Sequence, residues 1–204
     1  MARPRGVDDA AILRAAAEVM GRVGPAGLTL AAVASEVGLV PGTLAQRFGS
    51  KRGLLLALAD RSVQDAGELI DRVRQAHTSS LGALRALVAE LTAPMTTPRA
   101  FANHLAFLCA DLADPELYER ALAVHHAQAQ AIGDLLAQAV DTGELRPGTD
   151  PPALTRTLQT VIAGTGLTWA LDREGDLGHR LGRELDAALS PHLPTRPAHA
   201  PEES

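Results

Sequence analysis

The chain has 204 residues, of which 46% are hydrophobic and 2% aromatic. This hydrophobic share is enough to build a core, and because alanine and leucine supply it, the composition favours helices over a β-sandwich. No stretch approaches the roughly 20 apolar residues that cross a membrane, and the residues after Met1 do not form a secretory signal. The single cysteine excludes an internal disulfide and fits a reducing compartment. We therefore expect a cytoplasmic, all-α protein.

Charge is distributed unevenly along the chain. The whole sequence carries a net charge of −5, yet residues 1–52 carry +3 and the remainder −8. A basic front end on an acidic protein is expected when only that end contacts phosphate, although short segments of acidic proteins are also mildly basic by chance. The basic part includes Lys51, the only lysine in the chain.

Residues 1–6 have no apolar period and are predicted to form a loose arm. Its two arginines, Arg3 and Arg5, either reach an adjacent DNA minor groove, as basic arms do in other DNA-binding proteins, or remain disordered. A helix is predicted to begin at Asp8 and to run to about Val23. The glycine- and proline-containing segment 24–27 ends it.

Two short helices joined by a tight turn are predicted next. Thr29 suits the N-cap of the first helix, because its hydroxyl can accept an unpaired backbone N–H. Gly38 ends that helix, and Pro41 suits the first position of the second, where a missing N–H costs nothing. The apolar stripe of the first helix comprises Leu30, Val33, Ala34 and Val37.

The second short helix has one buried side, supplied by Leu44 and Phe48, which lie four residues apart. The arrangement is a helix-turn-helix, and its second helix leaves the other positions for an external partner. Those outward residues are Pro41, Gly42, Thr43, Ala45, Gln46 and Arg47.

The segment GLVPGTLAQRFGSKRGLL resembles the recognition segment of the tetracycline-repressor (TetR) family, roughly G-V-S-x-G-T-L-Y-x-x-F-x-S-K-x-x-L-L. It departs from that pattern at Val40, where the family commonly has a capping serine, at Ala45, where it has a tyrosine, and at Arg47, where it often has an aromatic residue or histidine. The matching positions are Gly38, Gly42, Thr43, Leu44, Phe48, Ser50, Lys51, Leu54 and Leu55.

The resemblance implies a homodimeric transcriptional regulator, and it favours a repressor that binds an inverted-repeat operator and is released by a small, mostly apolar effector. Within the major groove we expect Thr43, Gln46 and Arg47 to face base edges, with Gln46 contacting adenine and Arg47 guanine. Phosphates are held by Thr29, Lys51 and the backbone N–H groups at Ser50 and Lys51. The predicted DNA-binding set is Thr29, Pro41, Gly42, Thr43, Gln46, Arg47, Ser50 and Lys51.

The chain is predicted to divide into a helix-turn-helix domain with its arm at residues 1–50, a helical ligand-binding and dimerisation domain at 51–190, and a disordered tail at 191–204. The first helix of the second domain begins at Ser50 and links the two domains. Proline and glycine delimit the later helices, the last of which covers about residues 177–189.

A helical bundle of this kind can enclose a cavity, and the resemblance implies a small-molecule pocket. His104 and His125 interrupt apolar faces; they are either satisfied core or rim residues or polar groups that orient an apolar ligand. The predicted ligand-binding set is Phe101, His104, Leu108, Cys109, His125 and Trp169. The resemblance also implies a homodimer formed by the last two long helices, where Gly164 and Gly166 either form a close seam or serve local packing.

Metal, cofactor and catalytic sites are not predicted. His125 and His126 are adjacent, so on a helix they point about 100° apart and do not share an ion as an i, i+4 pair can. The chain lacks phosphate-loop, nucleophile-elbow and Glu-x-x-His patterns. The alternatives are a helical dimer that binds a metabolite or protein without binding DNA, and, more distantly, a helical-bundle enzyme.

Overall fold

The computed structural model describes residues 7–194, and every regular element in that range is helical. The predicted all-α class, with an N-terminal helix-turn-helix and a helical C-terminal domain, is confirmed. The predicted arm with Arg3 and Arg5 lies outside the described residues. The helices are α1 (Asp9–Gly27), α2 (Leu30–Glu36), α3 (Pro41–Phe48), α4 (Lys51–Ala76), α5 (Ser80–Thr92), α6 (Pro98–Asp111), α7 (Pro115–Asp141), α8 (Pro151–Asp172) and α9 (Leu177–Leu189).

Local sequence signals explain where most of these helices begin. Asp8, Thr29 and Ser50 each accept a backbone N–H from the first turn of the helix that follows, as do the N-cap residues of α5 to α9. In α1 the backbone leaves the helical region at Gly24, with φ +71°, so the predicted break lies inside the helix assigned here. Of the α-helices in the described range, only α3 begins without a side-chain cap.

The N-terminal head, which we define as α1 to α3, has a core of its own. Ile12, Leu28 and Leu44 are fully buried there. Leu54 and Leu58 from the start of α4 enter the same core, as expected for a unit too small to be stable alone. Phe107 of α6 also enters it, which the sequence did not indicate.

The C-terminal body has a second core, built where α4, α5, α7, α8 and α9 meet. Leu84, Leu136, Leu158 and Leu185 are among its most buried side chains. Helix α6 lies between the two cores, because it packs along α1 on one side and touches α8 on the other. The head and the body are therefore joined both by the continuous helix α4 and by α6.

The body continues past α9 into a short 3₁₀ turn, Ser190–His192. The backbone N–H of Arg146 donates a hydrogen bond to the carbonyl of His192 at 2.8 Å, so this turn is attached to the loop after α7. The segment predicted as a tail from residue 191 thus begins with an ordered turn, and residues 195–204 lie outside the described range.

The two glycines of the predicted seam on α8 differ in their surroundings. A Cβ placed on Gly166 would lie 2.4 Å from Cε2 of Phe101, so this glycine makes room for a ring of the same chain. A Cβ on Gly164 would meet nothing within 4 Å. Of the pair, only Gly164 faces open space, on a side of α8 that also exposes Leu167 and Leu171.

Candidate nucleic-acid interface

Helix α3 presents one side to solvent and buries the other. Leu44 is fully buried and Phe48 half-buried in the head core, which fixes the rotation of the helix. Gly38, with φ +68°, makes the corner before α3, and Gly49, with φ +74°, ends it. Of the outward positions predicted from the sequence, Thr43 is half-buried and the rest are exposed. The exposed ones are Pro41, Gly42, Ala45, Gln46 and Arg47.

The first turn of α3 is open to an external partner. Its N-cap is Val40, which makes no side-chain capping bond and is 67% exposed. A Cβ on Gly42 would meet nothing within 4 Å, so packing within the described chain does not require glycine there. Glycine in a helix is less favourable than alanine by about 0.5–1 kcal/mol. The first turn thus leaves room for a close approach of another molecule to its backbone.

Arg47 is held by the start of α1. Its Nη1 donates hydrogen bonds to the carbonyl of Val7 at 2.6 Å and to Oδ1 of Asp9 at 3.0 Å. The guanidinium is partly screened, with 33% of the side chain exposed, whereas the Asp9 side chain is 64% exposed. Sequence reasoning missed Asp9 as a member of this surface, because the two residues are 38 positions apart and no local spacing connects them.

The residues predicted to hold phosphates also have partners within the chain. The Ser50 hydroxyl accepts the N–H of Gly53 at 3.1 Å, and the Thr29 hydroxyl accepts the N–H of Ala32 at 3.0 Å. Lys51 is half-buried, and its Nζ donates to the carbonyl of Pro25 at 2.6 Å. Since an ammonium has three protons, this bond leaves two for a phosphate.

Replacing Lys51 with alanine is expected to reduce the salt dependence of DNA binding by about one unit in the slope of log K against log salt concentration, because one phosphate contact is lost. The slope is measured by fluorescence anisotropy on a labelled duplex over a salt series. Arg22→Ala is the matched control, since it also removes one head charge but from a side chain paired with Glu36. An unchanged slope in the Lys51 variant would remove Lys51 from the interface and leave it only its bond to Pro25.

The residue after Lys51 connects the head to the body. Arg52 donates from Nε and Nη2 to the two carboxylate oxygens of Asp114, at 3.0 and 3.1 Å, and lies 3.4 Å from a carboxylate oxygen of Glu116. Asp114 is the N-cap of α7. The hydrogen bond from Arg52, helped by backbone N–H groups of the α7 first turn, holds the pKa of Asp114 below its ordinary value. This ion pair holds the α6–α7 turn next to the predicted phosphate-binding residues Ser50 and Lys51.

The six residues predicted to bind a ligand fall into separate environments. Phe101 and Trp169 meet edge to face, with ring centroids 6.5 Å apart, between α6 and α8. His104 is half-buried against α1, where a ring nitrogen lies 2.9 Å from the carbonyl of Ala100. The remaining three, Leu108, Cys109 and His125, are exposed. The structure therefore does not gather all six around one enclosed cavity.

Among the surface clefts formed by the described residues of the body, two of the most pronounced are lined by none of those six residues. One, of about 360 Å³, lies between the end of α4, the start of α5 and α7, beside Arg74 and Asp134. The other, of about 430 Å³, lies at the α8–α9 turn and is lined mainly by charged side chains. An apolar effector is matched by apolar walls, so these clefts do not suit it.

Family comparison agrees with the helix-turn-helix geometry. Residues 12–58 match the model of the bacterial regulatory proteins of the tetR family, and residues 76–185 match the tetracyclin repressor-like C-terminal domain. The chain belongs to the TetR family. It is thus a member of a family of DNA-binding, ligand-responsive transcriptional regulators. The search of curated proteins gave no match.

Solved structures of other transcriptional regulators share this fold at low sequence identity. A TetR transcription regulator from Haloarcula marismortui superposes with a TM-score of 0.74 at 19% identity, over 90% of this chain and 96% of that one. A regulator from Saccharomonospora viridis in complex with choline gives 0.73 at 20%, over 91% and 96%. SmeT, the repressor of a Stenotrophomonas maltophilia multidrug efflux pump, gives 0.65 at 22%, over 98% of each chain.

The described residues contain neither a membrane-spanning helix nor a cluster of metal ligands. None of the helices there combines the length and the apolar character needed to cross a bilayer. Between residues 7 and 194, histidine, cysteine and acidic side chains do not gather in groups of three or more suited to hold a metal ion.

Proposed function

We propose that this TetR-family protein is a homodimeric repressor that inserts α3 into the DNA major groove at each half of an inverted repeat. The observation that carries the proposal is the outward side of α3, where Gln46 is exposed opposite the fully buried Leu44. Thr43, Gln46 and Arg47 face base edges. The residues that contact or closely approach the DNA backbone and set the register are Thr29, Pro41, Gly42, Ser50 and Lys51.

The partner subunit is proposed to cover the exposed side of α8. Leu167 and Leu171, one helical turn apart, are 48% and 74% exposed on that side, and neighbouring exposed apolar side chains of this kind mark interaction surfaces. Gly164 lies on the same side, and its small size permits close helix contact. In a two-fold dimer the two α3 helices are related by the same symmetry as the half-sites of an inverted-repeat operator.

The effector is proposed to be a small, mostly apolar molecule that binds the body along α6 and α8. Leu105 and Leu108 of α6 and Leu112 at its C-cap are exposed on one side, next to the predicted ligand residue Cys109. Phe101 and His104 lie in the N-terminal half of α6, where Phe101 meets Trp169 of α8. His125 on α7 completes the proposed set. Because Asn103 of α6 donates to the carbonyl of Gly21 at 2.8 Å, a shift of α6 is transmitted to the head.

DNA binding is tested by selection from a library of random duplexes with the full-length protein. We expect enrichment of an inverted repeat, and Arg47→Ala is expected to relax the preference at one position of each half-site by about 1–3 kcal/mol. Gln46→Ala serves as the comparison, because it should relax a different position. Recovery of no preferred sequence would contradict the proposal and favour a helical dimer without DNA binding, whereas equal weakening on all sequences would make Arg47 a phosphate contact.

Effector binding is tested by intrinsic fluorescence, because Trp169 is the only tryptophan in the chain. Titration with a panel of small apolar compounds is expected to change the emission of Trp169 if they bind beside Phe101. A compound that changes the emission should also lower the affinity for the selected duplex, since the two affinities are linked. A compound that releases DNA without affecting the emission would place the effector site elsewhere.

A further inference from the structure

The contact between Arg47 and the start of α1 assigns a role to a residue outside the helix-turn-helix. This inference rests on the proposed DNA-binding function. We propose that Asp9 is a specificity-determining residue: it holds the Arg47 guanidinium so that the edge formed by Nε and Nη2 faces a base. Asp9 acts through Arg47 and is therefore a positioning residue.

The hydrogen-bond pattern of the guanidinium carries the argument. A guanidinium has five N–H donors, two of them on Nη1. Both of the contacts made by Arg47 use Nη1, one to the Val7 carbonyl at 2.6 Å and one to Oδ1 of Asp9 at 3.0 Å. Within the described residues Nε and Nη2 have no acceptor, so three donors in a planar fork stay unused.

Guanine suits this unused fork. Its O6 and N7 are two adjacent acceptors in the major groove, and arginine binds them with two parallel hydrogen bonds. An arginine side chain loses considerable rotamer freedom when it is fixed in one orientation. Where Asp9 and the Val7 carbonyl already fix the guanidinium, that loss occurs before DNA binds, and the bidentate contact gains strength and selectivity.

The charge of Asp9 gives the arrangement a recognisable signature. Asp9 is well exposed at the edge of a surface that is proposed to face phosphates, so its carboxylate repels DNA of any sequence. Neutralising it should therefore tighten binding to all duplexes, while loss of the support for Arg47 should weaken the preference for guanine. A residue that acted only through its charge would produce the first effect without the second.

The experiment compares full-length variants by selection from the random duplex library, followed by affinity measurements on the selected site and on the same site with its guanine replaced. We expect Arg47→Ala to remove about tenfold or more of the guanine preference. Asp9→Ala is expected to lower the preference about three- to tenfold, and Asp9→Asn, which keeps a neutral acceptor, less. In the Arg47→Ala background, Asp9→Ala should change the preference no further.

Asp8→Asn is the matched control. It removes the same charge one residue away, and asparagine caps a helix as well as aspartate does, so the N–H of Ala11 still donates to a side-chain oxygen at residue 8. We expect it to raise affinity on all duplexes and leave the guanine preference unchanged. The inference is overturned if Asp9→Ala leaves the preference intact or changes it equally in the Arg47→Ala background. Failure of the wild-type protein to select any sequence would instead overturn the proposed function itself.

Discussion

Phe107→Ala is expected to lower the free energy of unfolding by about 3–5 kcal/mol, the range typical of a buried phenylalanine. Phe107 is 5% exposed and belongs to the core of the head, although α6, which carries it, lies between the head and the body. Its removal leaves a cavity where α6 packs on α1. Denaturant unfolding monitored by circular dichroism should show this lower free energy of unfolding. We also expect weaker DNA binding, because the head then lacks part of its core.

Leu108→Ala is the control for Phe107→Ala. Leu108 is the next residue on the same helix but is 45% exposed, so its truncation should change stability by no more than about 0.5 kcal/mol. A small effect of both substitutions would mean that α6 does not complete the head core. If Phe107→Ala destabilises the protein as expected, α6 is a structural part of the head, and any shift of α6 in the body alters the head directly.

The head was the part of the fold that local sequence signals predicted best. The bounds of α3 follow from Pro41 at the first position and from the glycine after Phe48, both of which act within one turn of the helix. The cap at Ser50 likewise fixes the start of α4. Such signals depend on neighbouring residues only, and they remain valid whatever the rest of the chain does.

Contacts between residues distant in the sequence could not be predicted from these local signals. Helical periodicity places Phe107 on one side of α6 and Leu108 on another, but it does not reveal which side a neighbouring helix covers. The packing of α6 on α1 covers Phe107 and leaves Leu108 exposed. For the same reason the predicted ligand set combines residues that lie in different environments. The bond between Arg47 and Asp9 could not be predicted either, because the spacing of the two residues in the sequence does not indicate that they meet.

Gly166→Ala is expected to destabilise the protein by about 1–3 kcal/mol through overpacking. The added methyl group would lie 2.4 Å from Cε2 of Phe101, and that ring has little room to move because it stands edge to face against Trp169. Trp169 is itself held by a hydrogen bond from Nε1 to the carbonyl of Gly175 at 3.1 Å. We expect a lower melting temperature and a changed Trp169 emission, both measurable on the same sample.

Gly164→Ala separates packing within the chain from packing between subunits. In a single chain the added methyl group meets nothing, so the substitution should stabilise the helix by about 0.5–1 kcal/mol. In a dimer joined along this side of α8, the same methyl group lies in the interface, and sedimentation equilibrium should then show weaker association. If Gly164→Ala weakens association of the subunits and Gly166→Ala does not, the subunit contact lies on the exposed side of α8. Unchanged association in both variants would move the subunit contact away from Gly164, since a close helix crossing there does not accommodate an added side chain.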